Sequence, residues 1–481
     1  MPELRIPVLL PSQALDYSRP ATLIENSNCF PQNMSLYRGD IAKRFGNSLY
    51  STSGAISGAP VMGLGKMELN TGERYVVRAS TLSLQKYNEI TNAWDTITVT
   101  PFSGTANNYF DFANDPDDNL LIIVNGVDLI RKWDGKQNNQ MLGGDPGIAA
   151  TAVYFPPYVL LGNVIENGQA LPFKVKWCDT AQPEKWLGGN AGAAVLSNEP
   201  SQLYKLKRLN EYIAAYKRNS IWLGLPNATD VWDWTCVKTG MGLMGMNCVA
   251  EIEAVHYFMG DNDFFMWDGA TLTPIGGNVR DEVFSTIDKS QSYKFFAVPV
   301  RQQTEVWFYV VPLGQTFPTQ IWKYNYRWKV WYFDTCVNIT AGINYEGNLS
   351  AEKIITGDSS GNTYFVDKTT TNDNGIAVAC SVATKDFTAD KFEIRKRWLQ
   401  LDFWAYGAGT IWVDYSIDRG ATWVSIDSAN LDPAMPTTPI TMFFDVVSSH
   451  IRFRFRNSGS EEFFYLRKFY PYYLMEAESW R

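Results

Sequence analysis

Segments of the type strand, turn, strand recur along the middle of the chain, and this recurrence limits the folds that the chain can adopt. The first strand of each segment starts near residue 75, 121, 158, 212, 255, 306 or 354, so the spacing runs from 37 to 54 residues. Seven hairpins at this interval are typical of a β-propeller, whose four-stranded blades repeat around an axis. The rhythm therefore predicts a propeller of six to eight blades; unrelated hairpins in a large β-sandwich are the alternative.

The segments also resemble one another in sequence. Segments 121–135 and 255–269 both end in Trp-Asp-Gly, while 75–94 and 306–331 both contain Lys-Tyr-Asn followed by Trp. Asn125-Gly126 lies between two apolar runs, which is a strong hairpin signal because both turn positions take positive φ. These similarities support an internal repeat.

The composition favours an all-β protein. Aromatic residues make up 14% of the 481 residues and hydrophobic residues 45%, and large rings stabilise sheets. Helical patterns are confined to 278–290 and 197–209. Residues 1–60, rich in Pro, Ser, Asn and Gly, predict an extended N-terminal arm; 61–375 predict the propeller. The long alternating strands of 376–481 predict a C-terminal β-sandwich.

Charge and cysteine content narrow the functional classes. The formal net charge of -8 lacks the basic footprint of sequence-specific duplex binding. Six scattered cysteines and two histidines show no metal-ligand spacing, so we expect no metal and no cofactor, with buried free thiols in a reducing compartment. The amino terminus has no signal-peptide pattern, which predicts a soluble protein made in the cytoplasm.

One stretch, residues 416–423, matches the Asp-box pattern S-x-D-x-G-x-x-W found in sialidase-like proteins. Its residues are Ser416, Asp418, Gly420 and Trp423, and a stretched relative has Thr356, Asp358, Gly361 and Tyr364. The carboxylate and hydroxyl can hydrogen-bond to the turn backbone, and glycine supplies positive φ. None of these residues is a nucleophile or a general acid. The motif therefore predicts a structural hairpin turn.

Other candidates for catalysis are weak. The acidic runs 114–119 and 260–264 could supply paired carboxylates for glycoside hydrolysis, but Asp, Asn, Pro and Gly are the expected residues of a tight turn. His256 lies on an apolar strand and is expected to be a hydrogen-bonded core residue. We therefore expect that the protein is not an enzyme.

An alternating run, residues 451–456, presents three arginines. Arg452, Arg454 and Arg456 alternate with apolar residues, so their guanidinium groups share one face of a strand. A solvated sandwich face is one interpretation. A candidate subunit interface with an acidic surface is the other.

Three segments resemble the tail nozzle, or phage stabilisation, proteins of short-tailed bacteriophages. They are the start "NCFPQNM" (28–34) with "IAKRFGN" (41–47), the central block 245–284, and the tail "VDYSIDRGATW" with "IRFRFRNSG". The resemblance implies a β-propeller with added β domains that assembles as a homohexamer ring. It further implies that the ring extends the portal and adaptor channel, retains the packaged genome and conducts it during ejection.

The resemblance also implies partners and a location. The partners would be further copies of the chain, the adaptor or head-to-tail connector protein, tail fibres, a tail needle or tailspikes, and genomic double-stranded DNA passing without sequence specificity. The location would be the virion tail, after synthesis in the bacterial host cytoplasm. The alternative function is a sialidase-like or lectin-like propeller that acts on glycans.

Overall fold

The chain folds almost entirely into β-strands, which confirms the predicted all-β class. The structure is a computed structural model that describes residues 4–6, 8–9, 15–19, 21–23, 29–37, 40–389 and 393–475. Within these ranges the helical segments are α1 (Arg280–Thr286) and two short 3-10 turns (Lys289–Lys294 and Arg301–Gln303). Helix α1 lies in the predicted range 278–290.

Short strands occupy the amino-terminal residues. In chain order they are β1 (Leu4–Arg5), β2 (Val8–Leu9), β3 (Cys29–Gln32), β4 (Met34–Tyr37), β5 (Asp40–Lys43) and β6 (Gly46–Leu49).

Seven groups of four antiparallel strands form the middle of the molecule in the described part of the chain; five are separate sheets and two are parts of larger sheets, and we number all seven as sheets 1 to 7. Sheet 1 contains β7 (Gly63–Glu68), β8 (Arg74–Ala79), β9 (Leu84–Asn88) and β10 (Ala93–Thr96); sheet 2 contains β11 (Asp111–Asp115), β12 (Leu120–Val124), β13 (Arg131–Trp133) and β14 (Gln140–Met141); sheet 3 contains β15 (Ile148–Phe155), β16 (Tyr158–Glu166), β17 (Gln169–Trp177) and β18 (Gly192–Val195). Sheet 4 contains β19 (Leu203–Leu209), β20 (Tyr212–Lys217), β21 (Ser220–Asn227) and β22 (Val231–Thr239); sheet 5 contains β23 (Val249–Ile252), β24 (Val255–Met259), β25 (Phe264–Trp267) and β26 (Leu272–Pro274). Sheet 6 contains β27 (Phe296–Val300), β28 (Glu305–Val310), β29 (Gln320–Asn325) and β30 (Val330–Thr335); sheet 7 contains β31 (Ile339–Tyr345), β32 (Lys353–Asp358), β33 (Thr363–Asp367) and, as its fourth strand, β6.

The predicted rhythm corresponds to one strand position in each sheet. The hairpins expected to start near 75, 121, 158, 212, 255, 306 and 354 begin with β8, β12, β16, β20, β24, β28 and β32, which are the second strands. The helix considered for 197–209 is wrong, because β19 occupies 203–209. A register shift between Leu203 and Lys205 lets the three-residue spacing of Leu203 and Leu206 fit a strand with both side chains buried.

Each sheet packs on the next through a hydrophobic core, and the last sheet packs on the first. Representative residues that share these cores are Val77 with Leu121, Val124 with Leu161, Trp177 with Trp222, Tyr216 with Trp267, Phe264 with Trp331, Val298 with Ile339, and Ile355 with Val76. The sheets therefore follow one another in a closed cyclic order. We call this set of sheets the ring, and its arrangement is propeller-like, as the hairpin rhythm predicts.

An asparagine or aspartate closes the turn after the third strand in six sheets of the ring. Its side-chain oxygen accepts the N–H two residues later, a turn that these short polar side chains favour. The residues are Asn88, Asp134, Asn227, Asp268, Asn325 and Asp367. The repeated Trp-Asp-Gly and Lys-Tyr-Asn sequences are the visible part of this shared turn.

The carboxyl-terminal strands form a sandwich of two sheets. Two short strands, β34 (Asn372–Asp373) and β35 (Ile376–Ala377), extend sheet 7 and lie outside the sandwich. The carboxyl-terminal strands of the sandwich are β36 (Cys380–Thr384), β37 (Lys396–Ala408), β38 (Thr410–Ser416), β39 (Val424–Asn430), β40 (Ile440–Ser448), β41 (Arg452–Asn457) and β42 (Phe463–Met475). One sheet has the order β4-β5-β42-β37-β40 with β1 and β2 on β42. The other, β36-β41-β38-β39, continues through β3 into sheet 6, so nine strands form one sheet. Trp398, Phe403 and Phe455 lie in the core between the two sheets.

The first sixty residues are built into both units. Strands β4 and β5 join the sandwich, β6 joins the ring, and β3 lies between the two. Met34 and Ile41 are buried in the sandwich core, which accounts for the pairing of this range. The range predicted as an extended arm is thus extended in backbone, but its described strands are paired in sheets.

Candidate functional site

One asparagine fastens the ring to the sandwich. Asn33 follows β3 with a φ of 57°, a left-handed conformation that asparagine tolerates. Its amide nitrogen donates to Oγ1 of Thr335 at 2.9 Å and to the carbonyl oxygen of Ala379 at 2.8 Å, while Oδ1 accepts the N–H of Thr335 at 2.8 Å. Thr335 ends β30 in the ring, and Ala379 immediately precedes β36 in the sandwich. A single buried side chain therefore holds both units.

An ionic network extends this joint. Arg44 donates from Nη1 to Oδ1 of Asp373 at 3.0 Å and from Nη2 to Oδ2 at 2.6 Å, and its Nε donates to Oδ1 of Asn33 at 3.3 Å. The fully buried Asp334 lies 3.9 Å from Arg44 Nε and forms an ion pair with Lys323. Burial opposes the charge of Arg44, but hydrogen bonds to Asp373 and the charge of that carboxylate raise its pKa. The two segments 28–34 and 41–47 meet here, except that Asn28 lies outside the described residues.

The three arginines of the predicted interface lie on one face of β41. Phe453 and Phe455 between them are fully buried, whereas the arginine side chains are 14%, 28% and 37% exposed. Arg452 donates to Asp386 at 2.7 Å. The alternation therefore places the guanidinium groups as the sequence pattern indicates; their role in a subunit contact stays a prediction.

Two of these arginines share one buried carboxylate. Oδ2 of Asp414 accepts hydrogen bonds from Nε and Nη2 of Arg454 at 2.9 and 2.7 Å and from Nε of Arg456 at 2.8 Å, and its Oδ1 accepts from Nη2 of Arg456 at 3.2 Å. Burial disfavours the charge on Asp414, yet the hydrogen bonds from Arg456 and Arg454 hold its pKa below the ordinary value. Two cations facing one anion leave this pair of arginines with a net positive charge.

Tryptophan rings lie against two of these arginines. The guanidinium carbon of Arg454 is 4.4 Å from the ring centre of Trp423, and that of Arg456 is 5.4 Å from the ring centre of Trp412. These are cation–π distances. We call Arg452, Arg454, Arg456, Trp412 and Trp423 the arginine face. Within the described residues the Nη1 groups of Arg454 and Arg456 donate no hydrogen bond, so they remain able to bind an acceptor.

The Asp-box forms the turn between β38 and β39. Oδ1 of Asp418 accepts the N–H of Thr422 at 2.9 Å, and Oγ of Ser416 accepts the N–H of Gly420 at 2.8 Å. Gly420 has a φ of 91°, and a Cβ there would meet Arg452 and Trp423 at 3.2 and 3.4 Å. Hydrogen bonds from the side chain and backbone of Thr422 lower the pKa of Asp418 to about 2. The carboxylate braces the turn, and Trp423 faces the arginines.

The stretched relative makes the same kind of turn in the ring. Between β32 and β33, Oδ1 of Asp358 accepts the N–H groups of Ser360 and Asn362 at 2.9 and 2.8 Å, and Gly361 has a φ of 88°. The hydroxyl of Tyr364 donates to the other carboxylate oxygen at 3.1 Å. The motif therefore occurs in both units as a device for closing a hairpin.

The acidic runs also serve as turns. Asp115 accepts the N–H groups of Asp117 and Asp118, both at 3.2 Å, and burial raises its pKa to about 6. Asp263 accepts the N–H groups of Phe264 and Gly276 at 2.7 and 3.1 Å. Both runs lie where a hairpin turns, between β11 and β12 and between β24 and β25, as the sequence pattern predicts.

His256 is a hydrogen-bonded core residue, as predicted. It is fully buried in β24, with Nε2 2.8 Å from the carbonyl oxygen of Arg208 and Nδ1 2.8 Å from the hydroxyl of Tyr216. Burial lowers the pKa of the imidazole to about 3, and Lys207 contributes to the shift. Both ring nitrogens have partners, so the neutral ring is fixed between sheets 4 and 5.

Within the described ranges, no group of three or more His, Cys, Asp or Glu side chains could hold a metal ion. No helix among those residues has the length and apolar character needed to cross a membrane. All six cysteines are free thiols.

Comparison with known proteins gives a distant structural likeness to a solved structure. No family model matches the chain, and no curated protein matches it. The crystal structure of Raptor from Chaetomium thermophilum is similar to 68% of this chain at 10% identity, with a TM-score of 0.41. This chain spans 29% of the length of that Raptor chain. A likeness at this level carries no argument about fold or function.

Proposed function

We propose that the chain is a virion structural protein, the tail nozzle or tail tube subunit of a short-tailed bacteriophage. Six copies form a cyclic hexamer that extends the portal and adaptor channel, retains the packaged DNA and conducts it during ejection. The ring of seven sheets is then a β-propeller with seven blades, and the sandwich is an added β domain. Tail fibres, a needle or tailspikes and the adaptor protein dock on this hexamer. The genome passes through its channel without sequence-specific contact.

The observation that carries this proposal is the hydrogen-bonded joint between the two units. The nine-stranded sheet runs from sheet 6 through β3 into the sandwich, with β3 paired to β30 at Gln32 and Phe333, and Asn33 and Arg44 hold the same boundary. A cyclic hexamer needs subunits that present two different surfaces at a fixed angle, because each subunit contacts the next one head to tail. Two units joined by one sheet meet that requirement.

The arginine face is the proposed contact of the sandwich. Asp386 and Asp414 hold the three guanidinium groups in place, so little side-chain entropy is lost when a neighbour binds. The chain carries a formal net charge of -8, and an acidic surface of the next copy complements the two arginines that share Asp414.

Solution mass tests the proposal directly. We expect the purified chain, alone or mixed with the adaptor ring, to reach six times the mass of the 54.4 kDa chain and to form rings in negative-stain images. A chain that stays monomeric with and without the adaptor would contradict the proposal.

A single substitution tests the interface. Arg456→Gln removes one guanidinium from the arginine face but leaves Arg454 on Asp414, so the sandwich is expected to stay folded. We expect the fraction of hexamer at a fixed concentration to fall severalfold, since charged contacts at such interfaces contribute about 1–3 kcal/mol. Arg327→Gln, at an exposed turn of the ring, is the control and is expected to assemble normally.

The glycan-acting alternative is separated by an activity assay. A monomer that releases reducing sugar from a bacterial polysaccharide, or that binds one saturably, would replace the nozzle proposal. We expect the assembled hexamer neither to release reducing sugar nor to bind a polysaccharide saturably.

A further inference from the structure

The ring encloses a central cavity that the proposed function does not use. Its volume is about 590 Å³, within the usual range for small-ligand pockets. Aromatic residues that precede the first strands of sheets 2 and 6, among them Tyr109, Phe110 and Phe295, line one part of it and are buried. Charged residues on the first strands line the rest.

Most carboxylates of the cavity are already occupied. Asp111 accepts a hydrogen bond from Lys205 at 2.6 Å, and Glu251 lies 3.7 Å from Lys207. Two further acidic groups pair with Arg74: Glu68 at 3.5 Å and Glu346 at 2.9 Å. Glu352 accepts a hydrogen bond from the amide of Asn344.

Three cations of the cavity have no carboxylate partner. Lys294 donates to the carbonyl oxygen of Thr316 at 2.6 Å, whereas the exposed side chains of Lys66 and Arg301 make no hydrogen bond and no ion pair with any residue of the described ranges. Lys66 lies on β7 and Arg301 directly follows β27, yet both line this one cavity. An unpaired lysine and an unpaired arginine in one concave site form an arrangement that attracts anions.

The cations also influence one another. Displacement of water by the surrounding protein lowers the pKa of Lys66, and the neighbouring charge of Arg301 adds to this shift, whereas the carboxylates of Glu251 and Glu68 oppose it. Burial likewise lowers the pKa of Lys207; Glu251 opposes this shift, while Lys205 and Lys66 add to it. The repulsion among these groups is relieved when an anion lies between them.

A hydroxyl in the aromatic part of the cavity also lacks a partner. Tyr109 is 4% exposed, and its hydroxyl has no hydrogen-bond partner in the part of the chain that the structure describes. A buried hydroxyl without a partner is unfavourable, so a polar group of a bound molecule would stabilise this part of the cavity.

We propose that the central cavity binds a small molecule bearing a phosphate group, held by Lys66, Lys207 and Arg301. The planar guanidinium of Arg301 can donate two hydrogen bonds to one phosphate, and the two lysines supply point charges. This site lies within a single subunit, so the proposal does not depend on hexamer assembly or on the proposed tail function.

Titration calorimetry with inorganic pyrophosphate as the probe tests the site. We expect saturable binding of one pyrophosphate per chain, weakened by added salt because the contacts are ionic. The double variant Lys66→Gln with Arg301→Gln is expected to bind at least roughly tenfold more weakly, since each lost charge-assisted hydrogen bond reduces affinity. Neither side chain has a partner to lose, so we expect the variant to fold normally, which its melting temperature checks.

A matched control removes the same charge elsewhere. Lys136→Gln with Arg419→Gln changes two side chains in the turns 134–139 and 417–423, outside the cavity, and is expected to bind pyrophosphate like the unmodified chain. Glucuronate, which carries a single carboxylate, is expected to bind more weakly than pyrophosphate. The proposal is overturned by absence of saturable pyrophosphate binding, by equal loss in both double variants, or by tighter binding of glucuronate.

Discussion

Asn33 connects the ring to the sandwich, and no sequence pattern around it indicates this role. It contacts β30 of the ring, the start of β36 in the sandwich and the guanidinium of Arg44, and it does so from a left-handed backbone position. Both its backbone geometry and its side-chain hydrogen bonds are therefore needed, and substitution can separate the two contributions.

Substitutions at Asn33 are expected to loosen the joint. Asn33→Gly keeps the backbone freedom but leaves buried polar groups of Thr335 and Ala379 without hydrogen-bond partners. We therefore expect the free energy of unfolding to fall by about 3 kcal/mol. Asn33→Ala adds about 1 kcal/mol for the left-handed conformation. Urea denaturation measures both losses, and a separate early transition for the sandwich is expected.

Asn167→Ala is the matched control for this pair. Asn167 also has positive φ, 50°, in the turn between β16 and β17, but its side chain makes no hydrogen bond within the described residues. Its loss is expected to be only about 1 kcal/mol. A loss at Asn33 no larger than this would show that the side-chain bonds do not hold the joint.

Asp418 has a local role that amide exchange can measure. In Asp418→Ala the N–H of Thr422 loses its acceptor, so we expect its exchange to become up to roughly tenfold faster, with the strands β38 and β39 still paired. Asp427→Ala on β39 is the control and should leave Thr422 unchanged. If Asp418→Ala instead abolished a hydrolytic activity in a folded chain, the structural role assigned to the motif would be wrong.

At the scale of elements, the repeated hairpins were predictable because local chemistry determines them. The turn after the third strand uses an asparagine or aspartate in six sheets, and apolar strands flank it, so the rhythm is visible in the sequence. The alternation of 451–456 likewise predicts a shared face for three arginines. The pattern does not reveal Asp414 and Asp386 as their partners, because those contacts join strands distant in sequence.

The parts that sequence reasoning missed depend on long-range pairing. Residues 1–60 contain Pro, Ser, Asn and Gly and carry only short apolar runs, which favours an irregular arm when read alone. Their strands form because β42, β33 and β30 provide edges to pair with. The cations of the central cavity come from different sheets, so only the closed ring brings them together.

His256 gives the boundary between sheets 4 and 5 a dependence on pH. The pKa of this imidazole is lowered to about 3 in the folded state and returns to about 6.5 on unfolding. Below pH 6.5 the unfolded chain takes up a proton that the folded chain does not. The contribution of His256 to stability is therefore complete above pH 6.5 and is lost as the pH falls towards 3, by about 1.4 kcal/mol per pH unit.

The measurement is the pH dependence of the unfolding free energy between pH 7 and pH 4. His256→Gln is expected to be less stable at pH 7 but to show a shallower decline on acidification. Parallel curves for His256→Gln and the unmodified chain would contradict the assignment.

At the scale of the whole molecule, β6 completes the ring. It pairs with β33, and a second contact with β34 brings the sandwich side of the chain to the same place. A Cβ on Gly46 would lie 1.9 Å from the carbonyl oxygen of Asn372, so the two backbones approach too closely for any side chain. Closure of the ring therefore depends on Gly46 because of this close backbone approach, and not because of its φ, which any residue can adopt.

Gly46→Ala is expected to weaken closure. Relief of the clash requires a backbone shift, which costs about 2 kcal/mol in a well-packed region, and thermal unfolding measures the lower midpoint. Gly54→Ala is the control, because no atom lies within 4 Å of a Cβ built there; its effect should stay within about 0.5 kcal/mol. Equal effects of the two substitutions would refute the role of Gly46.

The pairing of Leu49 with Tyr364 has a consequence for synthesis on the ribosome. Translation delivers β6 early and its partner strand hundreds of residues later, so at about 5–20 residues per second the nascent chain waits tens of seconds for closure. Sheets 1 to 6 can form in order during that wait, while the unpaired strand remains open to wrong partners. A translation product that stops before residue 363 therefore never closes, and we expect it to aggregate or to be held by chaperones.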